Sequence, residues 1–280
     1  MREKLCNTFR YISRYVWNLL RDSQYYGLYQ TSINNISRGL GLSEETISDL
    51  ILLKISKRQP YDIITVKFGK NYEPQEGADW EWWVLSQSGI IGLRLQAKRI
   101  HFNNNNYEYT YLDYRRRSSN QYQADILIQQ AQNRGMIPIY MFFNWWDLAY
   151  PFHRYINRHI PQCCRVYSYR DLGITIASGW IVKNAISNNQ KSLSDILPLS
   201  YPIHCLFCCQ YSDLTESIFK FFIYVIGIKK EIIKIYNKLP ENVYYRLKGK
   251  FDEESPIYTS FILDIDSPHD ELSKIQEIIR

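Results

Sequence analysis

Polar and apolar positions alternate most cleanly between Gly77 and Ile100, in the stretch GADWEWWVLSQSGIIGLRLQAKRI. With a period of two, Asp79, Glu81 and Trp83 fall on one side of a strand, and Trp80, Trp82 and Val84 on the other. In LRLQAKRI, which follows, Leu93, Leu95 and Ala97 share an apolar side opposite Arg94, Gln96 and Lys98. A turn at Gln87, Ser88 and Gly89 makes the two segments neighbouring antiparallel strands and brings Asp79 across from Gln96 and Lys98. An acid, an amide and an ammonium then share one face.

The rest of the chain arranges itself around this hairpin. Leu5, Phe9, Ile12, Val16 and Leu19 recur at spacings of four and three, which predicts an amphipathic helix over 3–21. A loop over 22–42 precedes a second helix, with Ser43 as N-cap, Glu44 and Glu45 in its first turn, and Ile47, Leu50 and Ile51 along its apolar stripe to about Ser56. Glu44 lies three residues before Ile47, whereas Glu45 points roughly opposite the stripe. Attraction to the helix dipole explains an acid at either position without any site. Residues 62–69 read as a strand, and 101–120, rich in Asn and Tyr and carrying Arg115, Arg116 and Arg117, as an exposed loop. A helix over 121–134 stops at Gly135, and the continuous apolar run 137–144 suits a buried parallel strand reached by a helical crossover. Further on, 172–178 predicts a strand, 180–187 a helix, 188–202 a connection and 214–238 a long helix interrupted by Gly227, ahead of a mixed, acid-rich tail. The expected organisation is a core over 41–187, an N-terminal helical elaboration over 1–40 and a mostly helical C-terminal elaboration over 188–280.

Composition adds bounds. The 280 residues, 45% hydrophobic and 22% charged, have ample material to bury a core, which excludes wholesale disorder. A net charge of +6, spread through the chain, is compatible with an anionic partner but does not by itself argue one. Charges interrupt Met1 to Leu20, unlike a signal peptide, and the apolar run from Phe219 to Ile228 is too short to span a bilayer. A soluble cytoplasmic protein with no membrane partner is expected. The Cys205–Cys208 pair, with Cys163 or His159, offers ligands for a structural zinc. Zinc sites usually carry two clean pairs, so buried reduced thiols, with Cys6 alone, are the expected reading.

Asp79 followed one hairpin later by Gln96-Ala97-Lys98 resembles the PD-(D/E)xK nuclease superfamily, in particular its Mrr-like branch, where glutamine replaces the second acid. GADWEWW with QAK is similar to an uncharacterised bacterial group of that superfamily, and the resemblance covers roughly 40–185. It implies a restriction-endonuclease-like α/β fold, with a mixed sheet in an αβββαβ core. It also implies a metal-dependent endonuclease that acts in bacterial defence or DNA processing, on DNA in preference to RNA, and admits a homodimer. By the same resemblance Asp79 binds the metal, Gln96 takes the D/E/Q position, Lys98 is the lysine, Glu44 is the acid of the preceding helix, and Gln123 supports the site or contacts phosphate.

The chemistry of these residues is coherent. Phosphodiester hydrolysis needs oxygen ligands for a hard cation, a source of hydroxide, and positive charge near the transition state. Asp79 supplies a carboxylate and Gln96 only a neutral carbonyl, so a second acid matters: Glu44, or Glu81 two residues along the Asp79 face. Mg2+ or Mn2+ accepts such ligation. Lys98 orients the water and stabilises charge without having to be the base. Arg115, Arg116 and Arg117 are candidates for backbone contact with nucleic acid, and the tryptophans for base stacking. Each has a plainer explanation: a cross-strand Asp79–Lys98 ion pair, an incidental Gln96, a solvated Gln123 or arginine run, and core tryptophans. A catalytically inactive module of the same fold, binding nucleic acid or a partner protein, is the alternative function.

Overall fold

The computed structural model describes residues 2–34, 42–59, 62–67, 78–103, 106–116, 119–150, 161, 164–208, 213–248, 258–263, 270–271, 275 and 277. The hairpin forms as its alternation predicts: β2 (Trp80–Ser86) and β3 (Gly89–Arg99) are antiparallel, with Trp80 opposite Leu95 and Glu81 opposite Arg94. Ahead of it lie α1 (Arg2–Asn34), α2 (Glu44–Arg58) and β1 (Ile63–Lys67). After it come a short hairpin of β4 (His101–Asn103) and β5 (Asn106–Glu108), then α3 (Gln123–Asn133) and β6 (Ile137–Phe143). Next are β7 (Ile174–Ser178), α4 (Gly179–Ser187), α5 (Leu193–Ile196) and β8 (Tyr201–Pro202). The chain then forms α6 (Cys205–Cys208), α7 (Leu214–Lys220), β9 (Ile235–Tyr236), α8 (Glu241–Leu247) and β10 (Tyr258–Leu263).

The result is a mixed α/β architecture, with helices flanking a mostly antiparallel central sheet. Its order is β1-β10-β2-β3-β6-β7-β8, with β9 also on β3. As expected, β1, β2 and β3 share the sheet and β6 runs parallel to β3, Gln96 pairing with Tyr140. β1 does not adjoin the hairpin, however: β10 lies between, antiparallel to β1 and parallel to β2. The C-terminal segment therefore supplies a strand inside the sheet.

Both faces of the hairpin are buried. Trp80, Trp82, Leu93, Leu95 and Ala97 form one side of the main core with Phe9 of α1 and with Ile47 and Ile51 of α2. Trp82 meets the Phe9 ring at 5.6 Å, and the Trp80 indole N–H donates to Ser48 at 3.2 Å. Trp83, Leu85 and Ile90 pack on the other side with Ala131 and Met136. Trp80, Trp82, Trp83, Trp145 and Trp146, candidates for base stacking by sequence, are thus core residues, each 7% exposed or less.

α1 is longer than its apolar repeat predicts and continues through much of the expected loop, to Asn34. Ion pairs dock it: Lys4 to Asp62 at 2.9 Å, and Arg14 to the buried Asp171 at 2.5 Å. It approaches the turn before β7 so closely that a Cβ on Gly173 would lie 2.0 Å from the Ser13 carbonyl oxygen. Three other expectations are corrected. The segment 101–120 is not simply an exposed loop, since it holds β4, β5 and the buried Tyr107, Tyr109 and Leu112. The connection 188–202 contains α5 and β8. The long helix over 214–238 ends early: α7 widens into a π-helical turn over Phe221–Val225, and Gly227 takes φ +80°, a conformation that stops a helix. No helix among the described residues is long and apolar enough to cross a membrane.

The cysteines also differ from expectation. Cys6 of α1 and Cys208 of α6 form a disulfide, while Cys164 and Cys205 are buried elsewhere in the core. Cys208 is therefore not part of a zinc pair, and Cys163 and His159 lie outside the described residues. A disulfide is unusual for the reducing compartment that the sequence suggested.

Candidate functional site

Asp79 immediately precedes β2. Its N–H donates to the Leu95 carbonyl at 2.9 Å, extending the ladder by one bond, and its side chain turns to β3, where Oδ2 accepts the Ala97 N–H at 2.8 Å. The Gln96 side-chain amide donates to the same oxygen at 2.5 Å. Beyond Asp79, the next amide on that edge of β3 is the Arg99 N–H, and it donates to Glu44 Oε1 at 2.9 Å. Alternate residues on a strand are roughly 7 Å apart, so two carboxylates from different elements cap successive amides of the strand that carries Gln96 and Lys98.

α2 delivers Glu44 by ordinary capping chemistry. The Ser43 hydroxyl accepts the Thr46 N–H at 3.1 Å, which fixes the first turn, and the Ser48 hydroxyl donates to the Glu44 carbonyl at 2.8 Å. The Trp80 indole reaches the same Ser48, so α2 is tied to the strand that follows Asp79.

α3 closes the site from the other side. Gln123, its first residue, donates through Nε2 to Gln96 Oε1 at 2.8 Å. Gln96 is therefore held at both ends, by Asp79 and by Gln123, and is 2% exposed. A carbonyl oxygen has two lone pairs, so Gln96 Oε1 can accept from Gln123 and still face a cation. The loop before α3 is anchored too, since the Gln123 N–H donates to the Tyr114 carbonyl at 2.9 Å. The exposed Arg115 hydrogen-bonds the Tyr122 hydroxyl, and its guanidinium lies 4.0 Å from the Tyr122 ring centroid, one residue before Gln123. Arg116 is half-buried, and Arg117 lies outside the described residues.

Lys98 is 5% exposed, and no acid among the described residues pairs with it. The cross-strand ion pair that would have explained Asp79 and Lys98 as structural is absent, because Asp79 turns to the Ala97 amide and Gln96 instead. Glu81, the other candidate for a second acid, is fully buried and committed elsewhere. It accepts the Trp83 indole N–H at 2.7 Å and pairs with Arg94 at 3.2 Å and Arg134 at 3.8 Å. This ion pair compensates both charges within the protein.

The site thus offers oxygen donors of mixed type, the carboxylates of Asp79 and Glu44 and the amide of Gln96. Among the described residues, no three His, Cys, Asp or Glu side chains gather into a metal-holding group. Two cavities open elsewhere, one of about 570 Å³ lined by Lys4, Arg58 and Gln59 and one of about 420 Å³ lined by Trp83, Arg134, Lys234 and Tyr236. Sequence reasoning missed Tyr140, which lies beside Gln96 within a run read only as an apolar strand. Its place depends on the register between β3 and β6, for which the chain carries no local signal.

No curated protein and no solved structure matches the chain. A family profile does match, over residues 5–279, nearly the whole chain with both flanks of the site included. The protein belongs to that family, DUF6615, a family of unknown function.

Proposed function

We propose that the protein is a metal-dependent endonuclease hydrolysing phosphodiester bonds of DNA, in the manner of the PD-(D/E)xK superfamily that its Asp79, Gln96 and Lys98 resemble, with a role in bacterial defence or DNA processing. The observation that carries this reading is Lys98, a buried lysine with no acid paired to it among the described residues, on the same strand face as Gln96. Sequestering an ammonium without a counter-charge is unfavourable, and an incoming phosphate supplies the missing charge.

Mg2+ or Mn2+ fits the donor set, because Asp79, Glu44 and Gln96 present only hard oxygen atoms. When bound, such a cation supplies Lewis acidity toward phosphate oxygens and lowers the pKa of water. The protein's own groups do the rest. Asp79 and Glu44 give the site negative charge, and Gln123 holds the Gln96 amide in place. Lys98 orients the attacking water and stabilises charge developing on the phosphoryl oxygens. Arg115, held against Tyr122 beside α3, contacts the DNA backbone without reading sequence.

The test is an incubation of the purified protein with supercoiled plasmid, and separately with RNA, in Mg2+, Mn2+ or EDTA. Plasmid nicking that requires the cation and disappears in Asp79→Ala is expected. If the wild type neither binds cation nor cleaves, yet retards DNA or a partner protein, the inactive binding module is the correct reading.

A further inference from the structure

Tyr140 occupies the β6 position paired with Gln96, and paired positions on adjacent strands point to one face. Its ring therefore lies on the side that carries Asp79 and Lys98. It is 0% exposed and stacks near Phe142, with centroids 6.0 Å apart. Its hydroxyl makes no hydrogen bond to any group among the described residues. That is unusual, since a buried phenol is normally placed so that its O–H finds a partner, and phenylalanine would supply the same packing without the polar atom. A phenol keeps its proton at neutral pH, so the oxygen remains a donor. A second buried atom without a partner, Gln123 Oε1, belongs to the residue bonded to Gln96 from α3. Two residues that carry a donor and an acceptor without partners among the described residues thus flank the same glutamine.

We propose that Tyr140 is a positioning residue of this site: through one ordered water, its O–H holds the Asp79 carboxylate and the Gln96 amide in the orientation that receives a divalent cation. The inference rests on the cation-binding reading given above. A single water suits the place chemically, because it accepts from the phenol and donates to the carboxylate. Groups that orient ligands from behind in this way typically change metal affinity by roughly 10–100-fold when removed.

Tyr140→Phe deletes only the oxygen. The experiment is calorimetric titration of the full chain with Mn2+ for wild type, Tyr140→Phe and Asp79→Ala, with thermal unfolding of the same preparations in the absence of cation. Mn2+ affinity in Tyr140→Phe should fall roughly tenfold or more. Its unfolding midpoint should change little, because no direct hydrogen bond to another described residue is lost. Wild-type affinity in Tyr140→Phe would overturn the positioning role and leave the cation site standing. A midpoint lowered without cation as far as that of a buried-core truncation would show that the hydroxyl serves the fold, and would overturn the proposal as well. Absence of Mn2+ binding in the wild type would remove the cation-binding reading, and this inference with it.

Discussion

Glu44 accepts the Arg99 backbone N–H at 2.9 Å, which places an acid from the first turn of α2 at the end of the strand that bears Gln96 and Lys98. The bond gives Glu44 two separable functions, an acceptor for β3 and a negative charge for the site. Glu44→Gln keeps an acceptor and removes the charge, so the fold should hold while Mn2+ affinity falls. Glu44→Ala removes both and should also cost about 1–3 kcal/mol, the scale of a charge-assisted hydrogen bond. Denaturant unfolding beside calorimetric titration separates the two effects. Equal Mn2+ affinity in wild type and Glu44→Gln would confine Glu44 to a structural role.

Asp79 and Lys98 should separate metal binding from turnover. Asp79→Ala deletes a carboxylate and should weaken both cation binding and cleavage. Lys98→Ala leaves the oxygen donors in place, so binding should survive while nicking falls by roughly a hundredfold or more, the scale of losing one preorganised electrostatic stabiliser. Lys98→Arg exchanges a compact ammonium for a planar fork and should rescue little. Lys98→Met keeps the buried stem and removes a charge with no paired acid, so its unfolding midpoint should equal or exceed that of wild type. A substantial loss of stability in Lys98→Met would mean that the ammonium serves the fold, and full nicking by Lys98→Ala would defeat the proposed mechanism.

What could be read from the sequence was what short-range periodicity encodes. The alternation through Trp80, Trp82 and Leu93, Leu95 defines the hairpin and its register, and Ser43 marks the start of α2. The helix–strand succession from α3 to β6 likewise predicts the parallel neighbour of β3. What could not be read depends on partners far along the chain. β10 enters between β1 and β2 from the C-terminal end, and nothing near Ile63 or Trp80 announces it. Arg94, Gln96 and Lys98 share the polar side of β3, yet all three are buried. Glu81 neutralises one of them, and α3 bonds another through Gln123. The Tyr140 hydroxyl and the Cys6–Cys208 bond share that non-local origin, the latter joining positions 202 residues apart.

The Cys6–Cys208 bond closes that long loop between α1 and α6, and Phe9 and Phe207 stack beside it at 4.3 Å. Restricting so long a loop in the unfolded chain stabilises the fold by about 2–4 kcal/mol. Dithiothreitol should therefore lower the wild-type unfolding midpoint, and Cys6→Ser should show the lowered midpoint with no further response to reductant. An identical wild-type midpoint with and without dithiothreitol, in a sample shown by mass spectrometry to carry the bond, would contradict this.

Acid should destabilise the fold through two histidines. His204 is fully buried beside Cys164, with its Nε2 3.2 Å from that carbonyl oxygen. Burial, and then the positive charge of Arg10, lowers its pKa to about 4, with Arg14 acting in the same direction and Asp171 and the Cys164 carbonyl opposing. His101 is lowered to about 4 by burial and by Arg99. A folded-state pKa below the unfolded value of about 6.5 means that, between those two values, the unfolded chain takes up a proton that the native protein refuses. Stability is then fully present above about pH 6.5 and declines as pH falls toward 4, with His204 contributing at most about 3 kcal/mol of that loss. Urea unfolding across pH 4 to 7.5 should show this slope, and His204→Gln, which keeps a hydrogen-bonding group without a titration in this range, should flatten it. A slope identical in wild type and His204→Gln would assign the acid sensitivity to other groups.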